Sequence, residues 1–374
     1  MKQSLPLDKV NTYSENLKPL REKIDILDAE ILNLINQRAS FALQIGAEKH
    51  ARGEPVYRPE REAQILLSLK NRNIGPLKTE GLQAIWREIM SACRAIEAVT
   101  TVAYLGPAGT YSEQAVLKQF GSGVSLMPCK TIDAVFRAVE ADNAQFGIVP
   151  VENSTEGVVS RTLDLLLTTP LSICAEMVLP IEHHLLSLNG SLKGITRIVG
   201  HAQALAQCQT WLAEHTPSIQ IQALASNGEG ARLASIDPCT AALAGSSAQL
   251  LYNLKIIHPC VQDDINNRTR FVVIGTHLTQ PSTNSLVKDQ TSLIVSVDNN
   301  AGAVYAMLKP LADHGVNMTR LESRPARTGS WEYYFYIDIS GHVLTPSINK
   351  ALLSLKNITA FYKLLGSYPL STSA

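Results

Sequence analysis

Thr101-Val102-Ala103-Tyr104-Leu105-Gly106-Pro107-Ala108-Gly109-Thr110-Tyr111-Ser112 is the stretch where the hydrophobic period of this 374-residue chain changes. Val102 to Leu105 reads as a short strand, and Gly106 to Gly109 as the glycine turn that leads into a helix. Upstream of it, apolar residues recur at Leu20, Ile24, Leu27, Ile31, Leu34, Ala42 and Ile45 in steps of three and four with one gap. That stripe predicts one helix of roughly 40–50 Å at ~1.5 Å per residue. Gly53 and Pro55 end it, and Pro59 opens a second helix, where its fixed φ and missing N–H cost nothing. After the Gly75-Pro76 turn, a third helix carries Leu82, Ile85, Trp86, Ile89, Cys93 and Ile96 on one face.

Downstream, strands alternate with helices to about Gly275. The strand candidates are Val124–Pro128, Phe146–Val151, Ile173–Leu179, His184–Leu188, Arg197–Gly200, Ile219–Leu224, Ala241–Ala244 and Arg270–Ile274, an α/β pattern. Thr276–Gln290 is polar and reads as a linker. The remainder reads strand (Thr291–Val297), helix (Ala303–His314), strand (Met318–Ser323), strand (Trp331–Ile339), helix (Pro346–Leu355) and strand (Ala360–Leu365), a βαββαβ ferredoxin-like order. The fold class expected is multidomain α and α/β.

Lys plus Arg and Asp plus Glu are 33 each, so no global field draws the chain to nucleic acid or to an anionic membrane. Met1 to Val10 has no apolar run of a signal peptide, and no apolar stretch approaches the ~18 residues of a membrane span. The six cysteines are widely spaced without a CxxC pair and read as reduced thiols, which predicts a cytoplasmic protein. His183 and His184 lack the spaced partners of a zinc site, so no metal is expected.

Arg38 lies on the apolar stripe of the first helix between Leu34 and Ala42, and Lys49 follows Ile45 by four. Eleven residues are almost three turns, so both cations face one way. Charges on a core-facing seam need partners. Arg58, Arg61 and Glu62 cluster at the start of the second helix, and Glu97 lies one turn after Cys93 on the third. Leu20-Arg21-Glu22-Lys23-Ile24-Asp25, Asn36-Gln37-Arg38, Lys49 and Arg61-Glu62 resemble the all-helical chorismate mutase over about residues 15–98. The resemblance implies an intertwined dimer of three-helix subunits. Arg21 precedes Arg38 by seventeen residues, roughly 25 Å along the axis, so it is expected to come from the partner subunit. By the same resemblance, Arg21, Arg38 and Arg61 hold the carboxylates of chorismate and Glu62 binds the ring hydroxyl. Lys49 and Glu97 donate to the ether oxygen. Three positions depart from the enteric form: Arg58 stands where a carboxylate is usual, Cys93 replaces Ser, and Glu97 replaces Gln.

Gly106–Ser112, Pro150-Val151-Glu152-Asn153-Ser154-Thr155-Glu156-Gly157 and Asn267-Arg268-Thr269-Arg270-Phe271 together resemble prephenate dehydratase over about 101–276, with Gly200-His201-Ala202-Gln203 as a weaker fourth block. The resemblance implies two α/β lobes of the type II periplasmic-binding-protein kind, with the chain crossing near Leu179–His184 and returning near Val261–Thr269. It implies that Thr269 acts on the departing hydroxyl, that Asn153, Ser154, Gln203 and Ser112 orient prephenate, and that Arg270 pairs with a carboxylate. Glu152 is expected either to supply the proton or to fix its loop. Gly302-Ala303-Val304-Tyr305 and Leu321-Glu322-Ser323-Arg324-Pro325 resemble the phenylalanine-binding motifs of the ACT domain, here over 290–368. The partners implied are chorismate and prephenate as substrates, phenylalanine as inhibitor, and further copies of the chain; no cofactor is implied. The two-lobed fold also serves transport and sensory binding proteins. The mutase segment and the intact Arg38, Lys49, Glu62, Thr269 and Arg270 favour an enzyme.

Overall fold

The computed structural model describes residues 7–283, 286–326 and 333–371, with side chains from residue 17 onward. Met1, expected to begin a chain without a signal peptide, and Trp331, expected to begin a strand, lie outside them.

Three helices come first: α1 (Leu7–Ala51), α2 (Pro59–Arg72) and α3 (Thr79–Glu97). Helix α1 runs through Gly46 and stops short of Gly53, whose φ of 65° suits glycine. Gly46 is buried because α3 closes on it: a Cβ there would stand 2.9 Å from both Cγ and Oε2 of Glu97. The stripe of α1 lies open along this single chain, with Leu20, Ile24, Leu27, Ile31 and Leu34 each more than half exposed. Tyr57, between α1 and α2, is buried in the next unit, its ring 4.6 Å from Phe120 and 5.2 Å from Phe146.

The first α/β lobe contains β1 (Thr101–Leu105), α4 (Tyr111–Phe120), β2 (Ser125–Cys129), α5 (Ile132–Glu140), β3 (Phe146–Asn153), β4 (Gly157–Val158), α6 (Ser160–Thr168) and β5 (Ser172–Pro180). The second contains β6 (His184–Ser187), β7 (Arg197–His201), α7 (Ala202–Ala206), α8 (Gln209–His215), β8 (Gln220–Leu224), α9 (Asn227–Ile236), β9 (Thr240–Ala244), α10 (Ser246–Leu251) and β10 (Lys255–His258). The chain then returns to the first lobe as β11 (Arg268–Gly275). The sheets run β2-β1-β3-β11-β5, with β4 on β3, and β10-β6-β9-β7-β8. The crossings fall where the sequence places them and are bonded to the returning strand: Ile181 N–H donates to the Asn267 carbonyl at 2.9 Å, and Val261 N–H to the His183 carbonyl at 2.7 Å. Two short strands, β4 and β10, were not expected. At the first, Gly157, at φ 81°, turns the chain back onto β3, so α6 begins only at Ser160.

The last unit is β12 (Asp289–Ser296), α11 (Ala303–Asp313), β13 (Met318–Pro325), β14 (Tyr333–Ser340), α12 (Pro346–Lys356) and β15 (Phe361–Pro369), a βαββαβ fold with sheet order β13-β14-β12-β15. One sheet face packs its helices. The other joins the first lobe, as Ile294, Tyr336, Leu365 and Tyr368 share a core with Val135, Phe136, Leu163 and Leu166. Lys363 Nζ donates to the Leu166 and Leu167 carbonyls at 2.8 and 3.0 Å, a cation at the C-terminal end of α6. No described helix is long and apolar enough to cross a membrane, and all six cysteines are free.

Candidate active sites

A pocket of about 480 Å³ opens between α1, the start of α2 and the end of α3. Arg38, Lys49, Arg58, Arg61, Glu62, Cys93 and Glu97 all line it. Arg21 does not; it is exposed on α1, far along the axis. Lys49 Nζ donates to the Val56 carbonyl at 3.2 Å. Arg58 is engaged by carboxylates of its own segment, with Nε 2.7 Å from Glu60 and Nη1 3.3 Å from Glu54. Arg61 is exposed and reaches Gln64 at 3.3 Å. The segment read as a linker does more than connect: Gln280, Pro281 and Thr283 close one side of the pocket, and Gln64 donates to the Ser282 hydroxyl at 3.1 Å.

Glu62 is bonded by Arg94, which also donates to the Phe120 carbonyl and lies 5.1 Å from the Tyr57 ring centroid. Burial pushes the Glu62 carboxyl up and Arg94 pulls it down. Arg94 was missed from sequence, although it stands four residues after Met90 and three before Glu97, on the inward face. Glu97 Oε2 is buried and finds no hydrogen-bond partner among the described residues. Burial raises the Glu97 pKa above the ordinary carboxylate value, against the opposing pull of Lys49, Arg94 and Arg38.

The second site is a cleft of about 420 Å³ between the α/β lobes. Ser112, Asn153, Gln203 and Thr269 line it, with Tyr111, Lys130, His183 and Gln207. Asn153 and Thr269 are paired across the β3–β11 ladder, with Asn153 Nδ2 donating to Thr269 Oγ1 at 2.9 Å. Lys130, between β2 and α5, is the lysine of the cleft wall; a single loop residue has no periodic signal to betray it.

Three expectations are corrected. Arg270 does not line the cleft. Successive strand residues point to opposite faces, so with Thr269 and Phe271 toward the cleft, Arg270 faces the βαββαβ sheet. There it is bound by Glu176 and Asp338, each at 2.7 Å, and donates to the Tyr368 hydroxyl at 3.1 Å. Glu152, beside Asn153 on β3, faces the same way and pairs with Arg320 of β13 at 2.8 Å. Ser154 is exposed and tied to Arg268: its N–H donates to the Arg268 carbonyl and its hydroxyl accepts from the Arg268 N–H, both at 2.9 Å.

In the last unit, Gly302 precedes α11 with φ 82°, a left-handed conformation that favours glycine, and Ala303 and Val304 begin the helix. Leu321, Glu322, Ser323, Arg324 and Pro325 lie on β13, one of the two edge strands of its sheet. Arg324 pairs with Asp164 of α6 at 3.1 Å, a third ion pair between this unit and the first lobe after Arg270–Asp338 and Arg320–Glu152.

The chorismate mutase type II family model matches residues 20–98, the prephenate dehydratase model 102–279 and the ACT domain model 291–357. A bifunctional chorismate mutase/prephenate dehydratase of Neisseria gonorrhoeae is 47% identical over 96% of this chain and 98% of its own length. One of Pseudomonas aeruginosa is 44% identical over 95% and 98%. Among solved structures, a prephenate dehydratase in complex with L-Phe from Arthrobacter aurescens is 30% identical, covering 72% of this chain and 89% of that one, with a TM-score of 0.64. A protein described as a novel type of quorum-quenching acylase is also 30% identical, covering 73% and 98%, with a TM-score of 0.66. With its helical pocket, its two-lobed cleft and nearly the full length of these relatives, the chain belongs to the bifunctional chorismate mutase/prephenate dehydratase family.

Proposed function

We propose that the chain rearranges chorismate to prephenate in the helical pocket and converts prephenate to phenylpyruvate in the cleft, within phenylalanine biosynthesis. The observation that carries the reading is the convergence of Arg38, Lys49, Glu62 and Glu97 in one pocket and of Asn153 and Thr269 in the other. The rearrangement is pericyclic: a C–C bond forms as the ether C–O bond breaks, and no nucleophile is required. The pocket holds the folded conformer through guanidinium–carboxylate pairs and meets the charge growing on the ether oxygen with Lys49 and protonated Glu97. In the cleft, the ring carboxylate leaves as CO2, its electron pair enters the ring, and the ring hydroxyl leaves as water after gaining one proton. Thr269 donates to that hydroxyl, and Lys130 takes the carboxylate role first assigned to Arg270. Incubation with chorismate, and separately with prephenate, tests both steps: phenylpyruvate is expected from each, prephenate left unconverted would refute the dehydratase, and unchanged chorismate would refute the mutase.

The open stripe on α1 leaves Leu20, Ile24, Leu27, Ile31 and Leu34 exposed in one row, and a contiguous apolar patch of that kind marks an interaction surface. A second copy covers it and brings its own Arg21 to the pocket. Mixing Arg21→Ala and Arg38→Ala chains should then restore part of the mutase activity that each lacks alone; no recovery would refute the shared site. L-Phenylalanine binds the ACT unit at Gly302–Val304 and Leu321–Pro325 and lowers the dehydratase rate, by preferring the less active arrangement. Val304→Asp, at an exposed position, should weaken that response while sparing the uninhibited rate. The free thiols suit a cytoplasmic location.

A further inference from the structure

Behind the cleft, a chain of amides runs from the β3–β4 turn to the crossing between lobes. Asn153 Oδ1 accepts from the N–H groups of Thr155 and Glu156 at 3.0 and 3.1 Å, which fixes which end of that amide is oxygen. Its Nδ2 therefore donates, to Asn267 Oδ1 at 2.8 Å and to Thr269 Oγ1 at 2.9 Å. Asn267 then presents its own Nδ2 to Gln207 Oε1 at 3.0 Å. The same Oε1 stands 2.9 Å from His183 Nε2. Two acceptors do not face each other, so Nε2 carries the hydrogen. His183 is buried, and burial holds its imidazole below the ordinary histidine range. The neutral ring thus leaves Nδ1 as an acceptor 2.9 Å from the Tyr111 hydroxyl, which shares its single hydrogen between Nδ1 and the Glu182 carbonyl at 2.7 Å.

We propose that His183, held as its Nε2–H tautomer, is a positioning residue for dehydration: it locks Gln207 Oε1 and so aims two donors, Gln207 Nε2 and the Thr269 hydroxyl, at the substrate. The proposal rests on the dehydratase reading above. Gln207 lines the cleft, and its Nε2 is buried with no partner among the described residues. A native fold rarely leaves a buried amide N–H unpaired, so this one is kept for an acceptor oxygen of the ligand, a carboxylate or a carbonyl. Thr269 Oγ1 already receives a hydrogen from Asn153, which leaves its own hydrogen for the departing hydroxyl. Amides orient but do not readily relay protons, so His183 sets direction and is not a proton source. Without its Nε2–H, Gln207 is free to turn over, and both donors lose their aim.

The tautomer is read directly by 15N chemical shifts of histidine-labelled full-length protein. Nε2–H is expected for His183, in the wild type and in Thr269→Ala alike; an Nδ1–H ring would overturn the proposal. Kinetics supply the second arm. The amide nitrogen of a glutamine reaches the place of Nε2, whereas that of an asparagine reaches only the place of Nδ1. His183→Gln should stay within ~3-fold of the wild-type dehydratase kcat, and His183→Asn should fall ~10-fold or more, the effect of one hydrogen bond. The mutase rate of each variant should be unchanged, and a wild-type denaturant midpoint certifies the fold of the lobes around His183. Equal losses in the two variants would overturn the positioning role. Wild-type turnover of prephenate, measured first, separates failure of this proposal from failure of the dehydratase reading: a wild type that leaves prephenate untouched sinks both.

Discussion

The helical pocket and the interlobe cleft handle related substrates by different physics. The pocket is built of charges: Arg38, Lys49, Arg58 and Arg61 against Glu62 and Glu97. The cleft is built mainly of neutral donors, with Asn153, Asn267, Gln207 and Thr269 joined by hydrogen bonds of 2.8–3.0 Å. A field acts over distance and tolerates small displacements, whereas a hydrogen bond weakens steeply with angle. The pocket can therefore be assembled from three helices and the Gln280–Thr283 segment. The cleft has its central residues paired across one β ladder.

The strongest way to break this contrast is to cross the activities. Thr269→Ala should lower prephenate dehydration by ~10²–10⁴, the usual range for a positioned proton-handling group, and leave chorismate conversion intact. Arg38→Ala should do the opposite. Separate assays of each step check it, and a folded variant that lost both activities would mean one site rather than two.

The next largest effect belongs to Arg270. Its guanidinium satisfies Glu176 and Asp338, both nearly buried. Arg270→Met leaves two buried carboxylates unpaired, at a cost of about 3–5 kcal/mol, which a denaturant melt will show. Because the side chain faces away from the cleft, KM for prephenate should change little in whatever protein remains folded. A large rise in KM with unchanged stability would return Arg270 to the substrate.

Glu97 sharpens the electrostatic side. Its pKa is raised, so the protonated donor persists to higher pH than in an ordinary carboxyl. Mutase activity should be full below that pKa and fall as pH rises through it, when the ionised group repels the charge on the ether oxygen. Glu97→Gln should abolish the fall, as measured by rate against pH at saturating chorismate. Parallel profiles would remove Glu97 from the chemistry. The smallest effect is expected at Glu152, whose partly exposed pair with Arg320 contributes ~1 kcal/mol at most. Glu152→Gln should change the dehydratase kcat less than ~3-fold; a proton donor would lose far more.

Much of this was legible in the sequence. The change of period at Thr101 marks the helical to α/β boundary, and two cations on one apolar stripe mark the pocket. Arg270, and Glu152 read as a proton source, differ from the structure for an avoidable reason: a strand that sends Thr269 or Asn153 into a cleft sends the adjacent residue out of it. Lys130, His183 and Gln207 were not legible in that way. They sit in loops, crossings and helix ends, where position is set by tertiary closure and leaves no period. Arg94 lies between these cases, since its face was readable but its partner Glu62 is thirty-two residues away.

The alternation of β11 also bears on what mutations this chain can accept. Eight residues carry the cleft on one face and the ACT contact on the other. Point substitutions disturb one face at a time. Insertion or deletion of a single residue within Arg268–Gly275 would exchange the faces, turning a guanidinium toward prephenate and a hydroxyl toward two buried carboxylates. Length in this strand is therefore under tighter constraint than composition. Libraries that vary loop length should spare it, and the exposed turn between β6 and β7 is the safer place to add residues.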